Sequence, residues 1–134
     1  MHDTYNDARA LWDAFAQTIV QVETPTSVIV LQPGVRPDAL PWNGDAYVIT
    51  AWNPGRIVSQ RENERANAEL EACLRASGCE VCPATGYSVD GSWSEDGFMV
   101  VGMHEATAVS IGRRFGQLAI FRIGSDGLEL VDCR

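Results

Sequence analysis

Lysine is absent from this sequence of 134 residues, and arginine supplies all ten of its basic side chains. Without lysine the chain cannot form a lysine Schiff base or provide the lysine of a phosphate-binding loop. Acidic residues outnumber basic ones and give a net charge of −8, which argues against a nucleic-acid-binding face. No run of about eighteen apolar residues occurs, so we expect no membrane-spanning helix.

Histidine and cysteine are too few for a recognisable metal site. The histidines are His2 and His104, and Cys79 with Cys82 forms a C-x-x-C motif. Zinc would also need a second cysteine pair or suitably spaced histidines, and the sequence has neither. We therefore predict no metal and no cofactor, and we interpret the cysteines as free structural thiols. A redox role of the C-x-x-C motif is the alternative.

The length and a hydrophobic content of 46% predict one globular domain over residues 1–134. We place its core within residues 27–132 and an added amphipathic helix at residues 3–21. The first fifteen residues carry acidic side chains and no apolar run, which argues against a signal peptide. We therefore expect a cytoplasmic protein.

Hydrophobic periodicity predicts the order of the remaining elements. A capping box of Ser59 and Glu62, followed by Gly78, predicts a long helix over residues 59–77. A shorter helix is predicted over residues 105–114. Runs rich in β-branched residues predict strands at residues 27–32, 46–52, 79–84, 97–103 and 117–123, with a loop at 85–96 and a last hairpin strand, LELVDC.

The elements from residue 46 to residue 123 follow the ferredoxin-like order βαββαβ. The full prediction is an α+β fold in which this unit gains an N-terminal helix and strand and a C-terminal hairpin strand. Helices would cover one face of a mostly antiparallel sheet. The strand at 46–52 is apolar at nearly every position, so we expect it at the centre of the sheet, covered on both faces.

The directions of these elements bring several polar residues to one edge of the sheet. The strand at 46–52 ends at this edge, the long helix begins there, and the helix at 105–114 ends there. His104 falls at the opposite edge. The predicted ligand-binding residues at the shared edge are Asn53, Asn63, Asn67, Trp93, Arg113, Arg114 and Gln117.

These residue types suit the recognition of a small polar ligand. Amides offer donors and acceptors, arginine binds carboxylate or phosphate, and tryptophan stacks on planar groups. Each residue also has a structural explanation; the amides of Asn63 and Asn67, for example, could bond to the backbone instead. Glu95 is the first candidate for a general base and Glu62 the second. Without a serine–histidine–acid set, binding is better supported than catalysis.

Two segments of the sequence resemble a bacterial protein family. ITAWNP at residues 49–54 and GRRFGQ at residues 112–117 occur together with Asn63, Asn67 and Trp93. This combination resembles the family catalogued as domain of unknown function 3293, over about residues 27–131. The resemblance implies a small bacterial, cytoplasmic protein and implies no reaction.

We therefore expect a protein that binds a small polar ligand, with nucleotide-like compounds among the candidates, and whether it is an enzyme stays open. One alternative is a protein-interaction module whose sheet edge or N-terminal helix docks a partner. Another is a small hydrolase with a glutamate base. We expect no membrane partner.

Overall fold

The computed structural model describes residues 8–134, apart from the side chains of residues 8 and 10–12. Three helices lie within this range: α1 (Ala8–Ala16), α2 (Gln60–Ala76) and α3 (Glu105–Arg114). The strands are β1 (Thr18–Glu23), β2 (Val28–Leu31), β3 (Ala46–Thr50), β4 (Glu80–Ser88), β5 (Ser94–Val101), β6 (Ala119–Gly124) and β7 (Gly127–Asp132). None of the described helices is long and apolar enough to cross a membrane.

The strands form one antiparallel sheet in the order β2-β1-β4-β5-β3-β6-β7. Its four middle strands, β4-β5-β3-β6, have the ferredoxin-like arrangement, so the predicted α+β class and the βαββαβ unit are confirmed. The unit is extended by the β1–β2 hairpin on one side and by β7 on the other. The addition before the unit is thus one helix and two strands, instead of the predicted helix and single strand.

Local signals set the ends of α2. The Ser59 side chain accepts a hydrogen bond from the backbone nitrogen of Glu62 over 3.1 Å, as an N-cap residue does. Beyond the last turn, Gly78 takes a positive φ of 81°, which suits glycine. Leu70 and Leu74 form the buried face that packs on the sheet.

The sheet separates two hydrophobic clusters. Strand β3 contributes to both, because its side chains alternate: Tyr47 and Ile49 pack with α2 and α3, and Ala46 and Val48 point to the other face. The central, doubly covered position expected for this strand is therefore confirmed. On the second face the sheet curls, and Pro33, just after β2, forms an isolated bridge with Leu128 of β7.

The prediction of a helix over residues 3–21 is wrong at its C-terminal end, and residues 3–7 lie outside the described range. Helix α1 stops at Ala16, and Thr18–Glu23 form β1, which pairs with both β2 and β4. Val20 and Val22 are fully buried there. Pairing on both sides and burial of β-branched residues outweigh the helical spacing of Phe15 and Ile19.

The predicted loop at 85–96 is also mostly strand. Strand β4 continues to Ser88 and β5 begins at Ser94, so the hairpin turn occupies only residues 89–93. Turn-forming residues such as Gly86 and Ser88 favour a loop locally. The partners on the neighbouring strands nevertheless hold them in the ladder.

Candidate functional site

A pocket of about 190 Å³ opens on the curled face of the sheet, where β3 ends and β5 begins. It continues into a narrower apolar cavity of about 50 Å³ between the strands. The two spaces share Thr50, Trp93, Glu95, Ala119 and Phe121. The outer pocket is also lined by Phe15, Thr18, Trp52, Asn53, Gln117, Leu118 and Leu130, among others.

Glu95 lies on the wall common to the pocket and the inner cavity. Side chains alternate along β5, so Glu95, Gly97 and Met99 share the face toward the curled interior. Burial raises the pKa of the Glu95 carboxyl above its ordinary value, and a hydrogen bond from Asn53 opposes this rise. The carboxyl is therefore held where its ionised form is poorly solvated.

Asn53 fixes one oxygen of that carboxyl. Its Nδ2 donates to Glu95 Oε1 over 3.1 Å, and its Oδ1 accepts from the backbone nitrogen of Val58 over 3.2 Å. The residue has a positive φ of 47°, the only such value at a non-glycine position among the described residues. This left-handed conformation turns the chain sharply after β3 and directs the amide to Glu95.

Asn63 supports Asn53 from the first turns of α2. The Asn63 Oδ1 accepts from the backbone nitrogen of Asn53 over 2.9 Å, and its Nδ2 donates to Asn53 Oδ1 over 3.2 Å. Asn63 is only 4% exposed. Both ends of its amide therefore serve the protein, and direct contact with a ligand stays a prediction.

Asn67, one turn further along α2, ties β3 to β5. Its Oδ1 accepts from the backbone nitrogen of Ala51 over 3.0 Å, and its Nδ2 donates to the carbonyl oxygen of Asp96 over 2.8 Å. These bonds fix the last residue before the turn and the neighbour of Glu95. Asn67 thus positions the strands that carry the pocket, and its direct contact with a ligand stays a prediction.

The segments ITAWNP and GRRFGQ meet directly at this end of the sheet. Gly116 has a positive φ of 75°, and a Cβ atom on it would lie 2.5 Å from the Cβ of Pro54. Next to it, Gln117 Nε2 donates to the carbonyl oxygens of Trp52, over 3.1 Å, and Phe115, over 3.3 Å. Only glycine allows this close approach, which joins the turn after β3 to the start of β6.

Two tryptophans and a threonine complete the site. Trp93 lies in the β4–β5 turn at the pocket and is 43% exposed, so the predicted stacking residue is accessible. Trp52 and Thr50 are not among the residues predicted from the sequence, because both have the pattern of ordinary strand residues. The signal that could have found Thr50 is its alternation with Val48, which places it on the same face as Glu95.

Five of the predicted site residues lie outside the lining of the pocket: Asn63 and Asn67, which support it through hydrogen bonds, and Arg113, Arg114 and Glu62, which do not. Arg113 donates through Nε to the carbonyl oxygen of Cys133 over 2.8 Å, and the Arg114 guanidinium lies 5.8 Å from the centre of the Phe115 ring. Both arginines are exposed, as is Glu62 in the first turn of α2. The structure therefore brings together Asn53, Asn63, Asn67, Trp93, Glu95 and Gln117, but not the arginines or Glu62.

The opposite end of the sheet carries a wide, open groove. His104 lies there, as chain direction predicts, with Tyr47, Asp45 and Arg122. Arg122 forms ion pairs with Asp45 over 3.1 Å and with Glu129 over 3.2 Å. The terminal nitrogens of the Arg122 guanidinium are therefore paired with carboxylates, whereas its buried Nε has no hydrogen-bond partner among the described residues.

The cysteines of the C-x-x-C motif lie on different faces of the sheet. Cys79 packs against the cluster under α2 and α3, and Cys82 belongs to the cluster on the curled face. All four cysteines are free thiols. Among the described residues, no group of three or more histidine, cysteine or acidic side chains could hold a metal ion.

A family model described as "Protein of unknown function (DUF3293)" matches residues 49–120, more than half of the chain. The match is shorter than the span of about 27–131 expected from the resemblance. It runs from the end of β3 into the start of β6 and so contains both segments that meet at the pocket. No curated protein and no solved structure matches the chain significantly.

Proposed function

The chain belongs to the DUF3293 family, whose description gives no reaction, and we propose that it binds a small polar ligand in the pocket beside Glu95. The observation that carries this proposal is the position of the Glu95 carboxyl on the wall of an otherwise largely apolar space. Burying an ionisable group there opposes folding, so packing alone gives no reason for it. Perturbed ionisable groups in pockets are characteristic of functional sites.

The size of the pocket favours a compact ligand. A cavity of about 150 Å³ in another protein holds a benzene ring, and this pocket has about 190 Å³. The aromatic rings of Trp52, Trp93 and Phe121 in the lining suit a planar group. One ring or two small fused rings would fill the space.

The position of the arginines bears on the nucleotide-like candidates. Arg113 and Arg114 lie outside the lining, and the ionisable side chain among the described lining residues is the acid Glu95. A phosphate group would therefore have no positive partner there and would be repelled by an ionised carboxylate. Among nucleotide-like ligands, the pocket therefore suits the base better than the phosphate.

A thermal-shift screen of nucleobases, nucleosides, amino acids and ring compounds tests the proposal. A ligand at one hundred times its Kd adds about 2.7 kcal/mol of stability. For a chain of 134 residues we expect this to raise the Tm by about 10 °C. If no compound shifts the Tm and the protein co-purifies with another chain, the interaction module gains support and the ligand proposal fails.

A variant that fills the pocket, compared with a matched surface variant, tests whether a hit binds there. Ala119→Phe should remove the shift given by any hit, because its side chain enters the space shared by the pocket and the inner cavity. Ala106→Phe, on an exposed position of α3, makes the same change of size away from the pocket and should leave the shift intact. Should Ala119→Phe not fold, Ala119→Leu narrows the same space with a smaller side chain and should weaken the shift.

A second candidate function is hydrolysis with Glu95 as general base. The raised pKa of its carboxyl, caused by burial, brings the group closer to the range in which a base works well at neutral pH. Asn53 would orient the carboxyl toward a water molecule next to the ligand. The exposed Glu62, the other predicted base, lies outside the pocket.

Hits from the thermal screen are the substrates with which to test this second candidate. Incubation of each hit with the protein, followed by mass spectrometry, should detect a hydrolysed product. Glu95→Gln should reduce its rate by a factor on the order of 10² to 10⁴ without preventing binding. A rate that Glu95→Gln leaves unchanged contradicts the role of Glu95 as a base.

A further inference from the structure

The hydrogen bonds around the pocket turn the amide nitrogens toward the protein. Gln117 Nε2 lies against two backbone carbonyl oxygens, which accept and cannot donate. Asn53 Oδ1 accepts from the backbone nitrogen of Val58, so its Nδ2 is the atom that meets Glu95. The orientation of both amides is thus fixed by partners of known polarity.

Two side-chain oxygens of the lining are acceptors that the described part of the protein leaves unused. Within the described residues, Gln117 Oε1 and Glu95 Oε2 have no hydrogen bond. Both residues line the pocket, and no arginine or histidine occurs among the described residues of its lining. A ligand that pairs with these two oxygens must itself present donors.

The charge of the protein and of the pocket also favours a ligand with positively charged donor groups. The net charge of −8 attracts small cations toward the protein. Among the described residues of the lining, the one ionisable side chain is negative when ionised, and the rings of Trp52 and Trp93 offer cation–π interaction to a positive group. A nearby cation would also offset the poor solvation of the Glu95 carboxylate.

We propose that the ligand of this pocket is a small planar compound with a positively charged nitrogen group, such as an amidine, whose N–H donors pair with Glu95 and Gln117. This inference rests on the proposed function and adds the chemical class of the ligand. Carboxylates and phosphates are excluded from the class, because the pocket would place them against Glu95. Neutral rings bind more weakly, because they lack the charge-assisted hydrogen bond.

Three compounds of nearly the same shape separate charge from size. Benzamidine is a cation at neutral pH, benzamide is neutral and benzoate is an anion. Titration of each, followed by the indole N–H signals of the protein in NMR spectra, gives its Kd. We expect benzamidine to bind about tenfold more tightly than benzamide, and benzoate to bind most weakly.

Two variants tie this preference to the pocket. Glu95→Gln should weaken benzamidine binding to the level of benzamide, because it removes the charge and keeps the size of the side chain. Glu69→Gln makes the same change of charge at an exposed position of α2 and should leave the preference intact. A thermal melt of each variant confirms that it is folded.

The outcomes separate the inference from the proposed function. Equal affinities for the three compounds, or a preference that Glu95→Gln leaves unchanged, overturn the inference and leave a ligand pocket in place. Tighter binding of benzoate also overturns it. If benzamidine does not bind at about 10 mM, the inference fails, and if the wider thermal screen is also empty, the proposed function fails with it.

Discussion

Replacing Asn67 by alanine tests whether the buried amides of α2 hold the site together. The change leaves the backbone N–H of Ala51, a residue that is 1% exposed, without its acceptor. An unpaired buried donor costs roughly 1–3 kcal/mol. The carbonyl oxygen of Asp96 keeps a second partner, the Thr50 hydroxyl, so the loss there is only about 0.5–1.5 kcal/mol.

Alanine favours helix over asparagine by up to about 0.7 kcal/mol, which offsets part of this loss. The free energy of unfolding should therefore fall by about 1–4 kcal/mol. This is a large part of the 5–15 kcal/mol typical of a small domain. Urea unfolding followed by circular dichroism measures the change.

The exposed Arg65, two residues before Asn67, provides the control. Arg65→Ala should change the free energy of unfolding by no more than about 0.5 kcal/mol. A change of similar small size for Asn67→Ala would refute the reasoning, because the hydrogen bonds to β3 and β5 would then contribute nothing. Intact folding combined with lost ligand binding would instead assign Asn67 to the ligand.

Three further predictions concern the residues around the pocket. Because the pKa of Glu95 is raised in the folded state, the native protein loses stability as the pH rises through the range in which carboxyl groups ionise. Glu95→Gln should therefore have a higher Tm than the native protein at pH 8. Below about pH 4 the two Tm values should be the same. Equal melting temperatures at pH 8 would contradict this. Gly116→Ala should lower the free energy of unfolding, measured with urea, by about 2 kcal/mol or more, because φ is positive there and Pro54 occupies the place of the added methyl group. An unchanged free energy of unfolding would argue against the contact with Pro54. Asn53→Ala should be less stable than Asn53→Gly by about 1 kcal/mol, since glycine adopts the left-handed backbone freely, and in Asn53→Gly an NMR titration should find the pKa of Glu95 raised further.

The elements that the sequence predicts well are those with local signals. The cap at Ser59 and the glycine at position 78 mark α2 within one residue, and α3 has the predicted bounds of 105–114. Strand β1 was mistaken for helix because Ile19 and Val20 continue the helical spacing of the residues before them. Its strand conformation depends on pairing with β2 and β4, which no local pattern contains.

The site was predictable to the extent that chain direction determines it. Direction alone brings the end of β3, the start of α2 and the start of β6 to one edge, and so places Asn53, Asn63 and Gln117 together. Chain direction does not determine which way the side chains of the last helical residues point. Arg113 and Arg114 end α3 at this edge, but they point to Cys133 and Phe115 and not into the pocket.

The bridge between Pro33 and Leu128 has a consequence for the edges of the sheet. Exposed edge strands offer unpaired backbone groups to other chains and so promote aggregation. Here β2 is only four residues long, and the curl brings the segment after it against β7, where the Leu128 nitrogen donates to the carbonyl oxygen of Gln32 over 3.3 Å. A proline at the junction has no N–H to offer an incoming strand. The curvature that encloses the pocket thus also protects the molecule from edge-to-edge association.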